Sequence, residues 1–333
     1  MGDGGDCRRR LDLARDTHVF ITGRGRSGSN LMLGILQCHT GVFSRNEPNE
    51  LPGSVMAALP DGFYPDPLPE GFAVAWHDAL ERAAARKGLR DGKGPPERDW
   101  YRSPRHGWIS ERLGQSHRLR RMLGRLRPSA GGPEWCLSRR LVDPEALARS
   151  LPVYKILRQP RWLLETHDRD AGQRVILVVR PPMAFLQSWN GRYVNVVPQG
   201  PEGVFADNMA TVEPILAYFG RSFISGRAFS TAALWESELW RWRYVNEVLH
   251  TGLQGSDRYQ LVSYGEMTAD RCGTARRIYD WLGLELDAAC ARRLERLGNI
   301  FSERRLDSFD SGLAQDLIDG VLEGSTLPPS VRG

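Results

Sequence analysis

The fold of this chain is decided by residues 18–30, which read HVFITGRGRSGSN. The first five residues are mostly apolar and β-branched, which is typical of a buried strand, and a glycine follows them at once. Residues 31–36 continue as an apolar helix that ends near Gly41. Backbone N–H groups of such a strand-to-helix turn, together with the positive end of the helix dipole, favour a phosphate group. The sequence therefore predicts a phosphate-binding loop at residues 23–30.

Strands and helices alternate along the rest of the chain. Residues 174–179 read RVILVV, a run rich in β-branched residues that predicts a strand buried on both faces of a parallel sheet. The other predicted strands are 41–45, 152–157 and 259–262, and the predicted helices are 72–86, 109–126, 162–167, 183–189, 230–249 and 267–282. This alternation predicts a doubly wound α/β fold in which ligands bind at the carboxyl ends of the strands.

Length and composition are those of a globular protein. The chain has 333 residues, 45 Lys and Arg against 40 Asp and Glu, and 41% hydrophobic residues, which excludes collagen-like and largely disordered chains. We predict a flexible N-terminus over 1–16, a single α/β domain over 17–325 with an insertion at about 50–150, and a tail over 326–333. The insertion contains a basic stretch, 82–127, which we interpret as a solvated face and not as a nucleic-acid site.

The location of the protein is predicted from what the sequence lacks. The longest apolar run covers only residues 175–179, far fewer than the roughly 20 residues that a membrane-spanning helix needs. We therefore expect a cytoplasmic protein without a membrane span. The five cysteines are scattered and show no metal-ligand spacing with histidine, so we expect reduced cysteines and no metal.

Two familiar glycine motifs can be matched to the loop. Gly23, Gly25 and Gly28 fit the GxGxxG fingerprint of dinucleotide-binding proteins, and Glu47 lies about where an acid that binds the ribose would fall. Gly23 and Gly28 also have the spacing of a Walker A loop, but Ser and Asn follow Gly28 where that motif requires Lys and Ser or Thr. A nicotinamide- or flavin-dependent oxidoreductase thus remains an alternative, whereas an ATPase or kinase lacks its phosphate lysine.

A third interpretation joins the loop to a second motif. Residues 26–30 read RSGSN, Arg180 stands at the end of the strand 174–179, and Ser188 follows eight residues later on the next helix. This combination resembles the sulfotransferase family that uses 3′-phosphoadenosine 5′-phosphosulfate (PAPS), in particular its carbohydrate-type and bacterial soluble members. The resemblance implies a P-loop-NTPase-like parallel sheet flanked by helices, with PAPS as cofactor and 3′-phosphoadenosine 5′-phosphate (PAP) as product.

The family's cofactor-binding positions can be carried onto this chain one by one. The loop around the 5′-phosphosulfate corresponds here to Gly25, Arg26, Ser27, Gly28, Ser29 and Asn30. The family binds the 3′-phosphate with residues that match Arg180 and Ser188, and it has a tyrosine near the adenine that matches Tyr264. This sequence departs from the family in having Arg-Pro-Pro where Arg-Asp-Pro is common, and in having Gly265 where an acid is usual. For the family's C-terminal basic loop it offers only Ser302, Arg304 and Arg305.

The resemblance also suggests how the transfer would be catalysed. Arg26 is placed to stabilise charge on the leaving oxygen and the sulfuryl group. A base must accept the proton of the acceptor hydroxyl, and carbohydrate-type members place a Glu in a segment like Arg-Asn-Glu47-Pro. Glu50 is the next candidate base, and His39 is the histidine alternative. Lys155 either reaches the sulfate or the acceptor, or extends its ammonium to solvent.

The acceptor is predicted only as a class. The Glu47 segment favours a carbohydrate or glycoconjugate, or another small molecule that carries a hydroxyl group. Aromatic side chains that could stack on a sugar are those of Trp76, Trp100, Trp108, Trp189 and Tyr193. A protein that binds PAPS or another nucleotide without turnover remains an alternative, and the sequence does not indicate an oligomeric state.

Overall fold

The computed structural model describes residues 17–50, 59–63, 67–85, 149–193, 199–297 and 309–332. Within these ranges five parallel strands form one sheet in the order β2-β3-β1-β4-β5. The strands are β1 (His18–Thr22), β2 (Val42–Asn46), β3 (Leu151–Lys155), β4 (Gln173–Val179) and β5 (Tyr259–Ser263). The predicted α/β class and the five predicted strands are thus confirmed, with boundaries that differ by no more than two residues.

Helices cover both faces of this sheet. In chain order they are α1 (Ser29–Leu36), α2 (Phe72–Ala85), α3 (Pro160–His167), α4 (Pro182–Tyr193), α5 (Gly200–Phe219), α6 (Thr231–Leu253), α7 (Tyr264–Ala269), α8 (Arg271–Leu282), α9 (Ala288–Arg296), α10 (Ser311–Leu322) and α11 (Pro329–Arg332). A short 3₁₀ turn, Pro48–Glu50, follows β2. No helix in these described ranges combines the length and the apolar character needed to cross a membrane.

Each face of the sheet has its own hydrophobic core, because successive strand residues point to opposite sides. Phe20 of β1 packs in one core with Trp76 of α2 and Trp242 of α6. Its neighbours Val19 and Ile21 lie in the second core, which α1, α8 and α9 cover. The strands are therefore buried on both sides, as the β-branched run at 174–179 predicted.

The strand order favours a P-loop-like sheet over the dinucleotide-binding sheet that the GxGxxG match suggested. β3 lies between β1 and β2, and β4 pairs with the other side of β1. In the classic dinucleotide-binding sheet, β2 is the direct neighbour of β1. The order found here is the P-loop-like one, and its topological switch point lies at the carboxyl end of β1, where the glycine loop begins.

One predicted helix is wrong. The segment 267–282 is not a single helix, because α7 ends at Ala269 and α8 begins at Arg271. Asp270 between them has a non-helical backbone (φ −137°, ψ 85°), and its carboxylate accepts a hydrogen bond from the N–H of Gly273. This is the N-cap role that aspartate favours, and it starts a new helix instead of continuing the old one.

The long helix α6 has the cap and the buried face that its sequence predicts. The Ser230 hydroxyl accepts a hydrogen bond from the N–H of Ala233 at 3.0 Å. The predicted apolar face is buried, and its members are Trp235, Leu239, Trp242 and Val245. Predictions for residues 1–16 and for the helix at 109–126 lie outside the described residues. The same holds for the basic stretch 82–127, apart from the α2 backbone up to Ala85.

Candidate active site

The site residues that the sequence predicts lie along one edge of the sheet. The glycine loop, residues 23–28, follows β1, and Glu47 follows β2 directly. Lys155 is the last residue of β3, Arg180 follows β4, and Tyr264 follows β5. Since the carboxyl ends of parallel strands meet at the same edge, five segments that are distant in sequence converge on one place.

Two glycines of the loop are required by close packing. Gly23 has a φ of 137°, and a Cβ atom there would lie 2.4 Å from the carbonyl oxygen of Val178 on β4. Gly28 has a φ of 99°, and a Cβ atom there would lie 2.3 Å from the ring of Tyr264. Gly25 differs, because no neighbouring atom lies within 4 Å of such a Cβ. Gly28 is also the N-cap of α1, so the first turn of that helix opens at the loop.

Arg26, Arg180 and Ser188 form a cationic group beside this loop. The Nη2 and Nε atoms of Arg26 donate to the Ser188 hydroxyl at 2.9 and 3.2 Å. Arg180 donates to the carbonyl of Arg26 at 3.4 Å, and its guanidinium lies 4.0 Å from the centre of the Tyr264 ring. Two guanidinium groups and a hydroxyl next to a helix N-terminus form a donor set that suits phosphate.

Lys155 and Glu47 form a second group, on the β2 and β3 side of the loop. Lys155 is 1% exposed, and its Nζ forms an ion pair with Glu47. The same Nζ donates to Asn30 Oδ1 at 2.6 Å and to Asn46 Oδ1 at 3.1 Å. The alternative in which Lys155 extends to solvent is therefore wrong, because the ammonium is buried and held by three oxygen atoms. Through Asn30 it also joins Glu47 to the first turn of α1.

Backbone strain is concentrated at this edge of the sheet. Among the described residues, Arg26, Glu47 and Arg158 are the non-glycine residues with positive φ, at 77°, 50° and 62°. Each follows one of the strands β1, β2 and β3 within a few residues. Such conformations cost about 1–3 kcal/mol each and persist where the surrounding structure holds them, commonly at functional sites.

A buried ion pair behind the loop was not predicted from the sequence. Arg24 donates to Glu238 of α6 at 2.6 Å, and Arg241 donates to the other oxygen of the same carboxylate at 2.7 Å. Burial lowers the pKa of Arg24 to about 10, against the raising effect of Glu238. Burial disfavours the charged form of Glu238, but Arg24 and Arg241 outweigh it and hold the pKa of Glu238 below its usual value. Both partners thus stay charged at neutral pH.

Other predicted residues lie elsewhere in the fold. His39 follows the distant end of α1 and precedes β2, so it is at the opposite edge from Glu47, and burial lowers its pKa. The suggestion that Trp76 and Trp189 stack on a sugar is wrong, because both are core side chains no more than 3% exposed. The remaining candidates lie outside the described residues or have no described side chain: Glu50, Trp100, Trp108, Tyr193, Ser302, Arg304 and Arg305.

Several solved structures resemble this chain. Sulfotransferase STF9 from Mycobacterium avium is 15% identical, with 97% of this chain and 80% of that chain covered and a TM-score of 0.43. Five of the similar structures are sulfotransferases by name. The sulfotransferase domain of the curacin biosynthetic pathway is 14% identical, with 95% and 93% covered and a TM-score of 0.39.

Retinol dehydratase in complex with androsterone and inactive cofactor PAP is 13% identical to this chain, with 97% and 87% covered and a TM-score of 0.38. No protein-family model and no curated protein sequence matches the chain. At these identities and TM-scores, the likeness to sulfotransferases does not by itself assign a function. The assignment must therefore rest on the geometry of the site.

Proposed function

We propose that this protein is a sulfotransferase that moves the sulfuryl group of PAPS to a hydroxyl group of an acceptor. The observation that carries the proposal is the convergence of Arg26, Arg180 and Ser188 beside a glycine loop that opens a helix. The two motifs are separated by about 150 residues of chain and come together with side chains in direct contact. A dinucleotide-binding loop gives no reason for Arg180 and Ser188 to be there.

The residues fit the two anionic groups that PAPS carries. Residues 25–30 would hold the 5′-phosphosulfate with the first turn of α1, and Arg180 with Ser188 would hold the 3′-phosphate. The donor set supports this assignment, since guanidinium groups match phosphate oxygens in geometry as well as charge. Tyr264 already packs against Gly28 and under Arg180, so it would form the wall beside the nucleoside. When bound, PAPS would supply the sulfuryl group that is transferred, and PAP would be the leaving group.

Glu47 is the base that we propose for the acceptor hydroxyl. Its ion pair with the buried Lys155 favours the ionised carboxylate, which is the form that accepts a proton. The N–H of Glu47 donates to the carbonyl of Lys155 at 2.8 Å and holds its strained backbone in place, while the ion pair with Lys155 holds the side chain. Glu47 would accept the hydroxyl proton as the acceptor oxygen bonds to sulfur and the bond between sulfur and the 5′-phosphate oxygen breaks.

The cationic groups act on the charge that this reaction moves. Negative charge accumulates on the leaving oxygen and on the sulfuryl oxygens, so a fixed cation close to them lowers the barrier. Arg26 is our candidate for that role, and Lys155 lies on the other side of the loop with Asn30 between it and the helix N-terminus. For the acceptor we propose a carbohydrate or glycoconjugate, the class that the segment around Glu47 favours.

Ligand titration tests the proposal. Purified protein is titrated by calorimetry with PAP, ATP and NADH at one salt concentration, and PAP is expected to bind selectively. Arg180→Ala is expected to weaken PAP binding by about tenfold to a hundredfold, because a charge-assisted hydrogen bond contributes about 1.5–3 kcal/mol. Arg174→Ala is the matched control, since Arg174 is on the same strand but bonds to the carbonyl of Trp281 at the opposite edge.

The outcomes of this titration separate the alternatives. Binding of NADH without binding of PAP would overturn the proposal in favour of an oxidoreductase. Selective PAP binding would be followed by a transfer assay with labelled PAPS and a panel of sugar, lipid and phenolic acceptors. Binding without transfer to any of them would favour the nucleotide-binding protein without turnover.

A further inference from the structure

The helix α6 contacts three separate parts of the candidate site through one stripe of side chains. Glu238 accepts a hydrogen bond from Arg24 in the glycine loop at 2.6 Å. Trp242, one turn later, donates its indole N–H to the carbonyl of Arg180 at 3.1 Å. Trp235, one turn earlier, donates to Asn190 at 3.2 Å, and Asn190 lies on α4 two residues after Ser188. Spacings of three and four residues place these side chains on the same face of the helix.

We propose that Glu238, Trp242 and Trp235 are positioning residues that hold the glycine loop, Arg180 and α4 in the geometry that binds phosphate. The three contacts made by α6 therefore fix the relative positions of Arg26, Arg180 and Ser188. This inference deepens the proposed function and rests on it. None of the three side chains is proposed to touch the cofactor, so they act through the residues that do.

The strength of the Glu238 contact comes from its burial. Glu238 is 1% exposed and Arg24 is 6% exposed, so neither charge is stabilised by bulk water. Removing one partner of such a pair leaves an uncompensated buried charge, which is strongly unfavourable. Arg241 donates to the same carboxylate and to Asn208 of α5, so the pair is also tied to a second helix.

The loop needs this support because its own backbone is strained. Arg26 has a φ of 77°, and a left-handed conformation at a non-glycine residue persists only where the surroundings hold it. Within the loop, the Ser27 N–H donates to the carbonyl of Arg24 at 3.1 Å. Fixing the Arg24 side chain therefore also fixes the carbonyl around which the turn closes.

A second stripe of the same helix provides matched controls. Glu236 is fully buried and accepts hydrogen bonds from the backbone N–H groups of Ile224 and Ser225, each at 2.6 Å. Trp240 donates its indole N–H to Glu236 at 3.0 Å. These two side chains are of the same types as Glu238 and Trp242 and are equally buried, but their partners lie in the segment after α5 and in α6 itself, not in a loop of the candidate site.

The test compares the two stripes in the full-length protein. Glu238→Gln and Trp242→Phe are expected to weaken PAP binding about tenfold or more, the effect of losing a group that orients a ligand-binding residue. Hydrogen–deuterium exchange of residues 23–30 in the absence of PAP is expected to be faster in Glu238→Gln. Glu236→Gln and Trp240→Phe are expected to leave both measurements as in the wild type, even if they lower the melting temperature. If Glu238→Gln does not fold, Trp242→Phe and Trp235→Phe decide the matter.

The possible failures are distinguishable. Unchanged PAP affinity and unchanged loop exchange in the folded variants of the first stripe would overturn the positioning role. Equal effects in the Glu236 and Trp240 variants would also overturn it, since they would show a general effect of destabilising α6. Failure of the wild-type protein to bind PAP would overturn the proposed function, while the exchange measurement would still decide whether Glu238 holds the loop.

Discussion

The guanidinium of Arg26 lies against the hydroxyl of Ser188, with 2.9 Å between Nη2 and Oγ, although 162 residues separate them in the chain. This contact joins the loop after β1 to the helix after β4. It also places Arg26 with Arg180, on the side of the loop away from the Lys155–Glu47 pair. Whether Arg26 mainly binds the cofactor or mainly stabilises the transferring group is therefore a question that kinetics can answer.

Substitution of Arg26 should separate these two roles. Arg26→Lys keeps the charge but loses the fork that contacts Ser188, and it is expected to weaken PAP binding by about tenfold. If Arg26 stabilises the transferring group, Arg26→Ala is expected to lower kcat more than it raises the KM for PAPS. Steady-state kinetics with Ser188→Ala for comparison measures both constants. A large rise in KM with unchanged kcat would assign Arg26 to binding alone.

Glu47→Gln should remove transfer while leaving PAP binding close to that of the wild type. An amide keeps the shape of the carboxylate but does not accept the hydroxyl proton, and loss of a general base costs about 10²–10⁴-fold in rate. The measurements are the transfer rate with labelled PAPS and the Kd for PAP. Transfer at the wild-type rate would sink the assignment of Glu47 as base.

The Lys155–Glu47 pair should also contribute to stability. Glu47→Gln leaves the ammonium of Lys155 without its counter-charge in a site where the lysine side chain is 2% exposed. We expect the free energy of unfolding to fall by about 3 kcal/mol or more, as for other buried pairs with one partner removed. In Glu47→Gln/Lys155→Met, part of this loss should be recovered. Urea denaturation of the two single variants and the double variant gives the coupling energy. If the free-energy changes of the two single substitutions simply add up to that of the double variant, the two side chains do not stabilise each other.

Gly25 and Gly23 should respond differently to substitution. A Cβ at Gly23 would clash with the carbonyl of Val178, a backbone atom that cannot move away cheaply, so Gly23→Ala should destabilise the fold. Gly25→Ala meets no protein atom within 4 Å and should leave the melting temperature unchanged. If phosphate approaches the loop backbone closely, Gly25→Ala should still weaken PAP binding. Calorimetry and thermal denaturation of both variants separate the two effects, and full PAP affinity in Gly25→Ala would remove that residue from the binding loop.

Stability should fall on mild acidification. Burial lowers the pKa of His39, His167 and His250 below their ordinary value of 6.5. The unfolded chain therefore binds protons more readily than the folded one, and the free energy of unfolding decreases as the pH falls below about 6.5. Urea denaturation between pH 8 and pH 5.5 measures this slope. His167→Gln should reduce the slope. At pH 8 all these imidazoles are neutral, so the change in the free energy of unfolding there should reflect only the lost contacts of His167. A flat profile in the wild type would contradict the prediction.

Sequence reasoning was most successful where a local pattern has one structural meaning. The β-branched run at 174–179 predicted the buried strand β4, and the glycines after residue 22 predicted the turn from strand β1 into helix α1, and both are found. It failed at Asp270, because a capping residue inside an apolar helical pattern changes the backbone without changing the pattern. The sequence analysis also missed the helix α5 (Gly200–Phe219). This helix contains Pro214 and packs on α6 in the core that includes Phe20.

The sequence by itself determined the α/β class, the glycine-rich turn from β1 into α1, and the positions of Arg180 after β4 and of Ser188 on α4, because each of these depends on neighbours along the chain. Only the tertiary structure decided the strand order, the burial of Lys155 between Asn30 and Glu47, and the contact of Arg24 with Glu238. Those contacts join residues 108 to 214 positions apart, and no local periodicity records which distant partner a charged side chain will meet. The chain sets the propensities of its segments, whereas packing the helices on two faces of one sheet selects the partners.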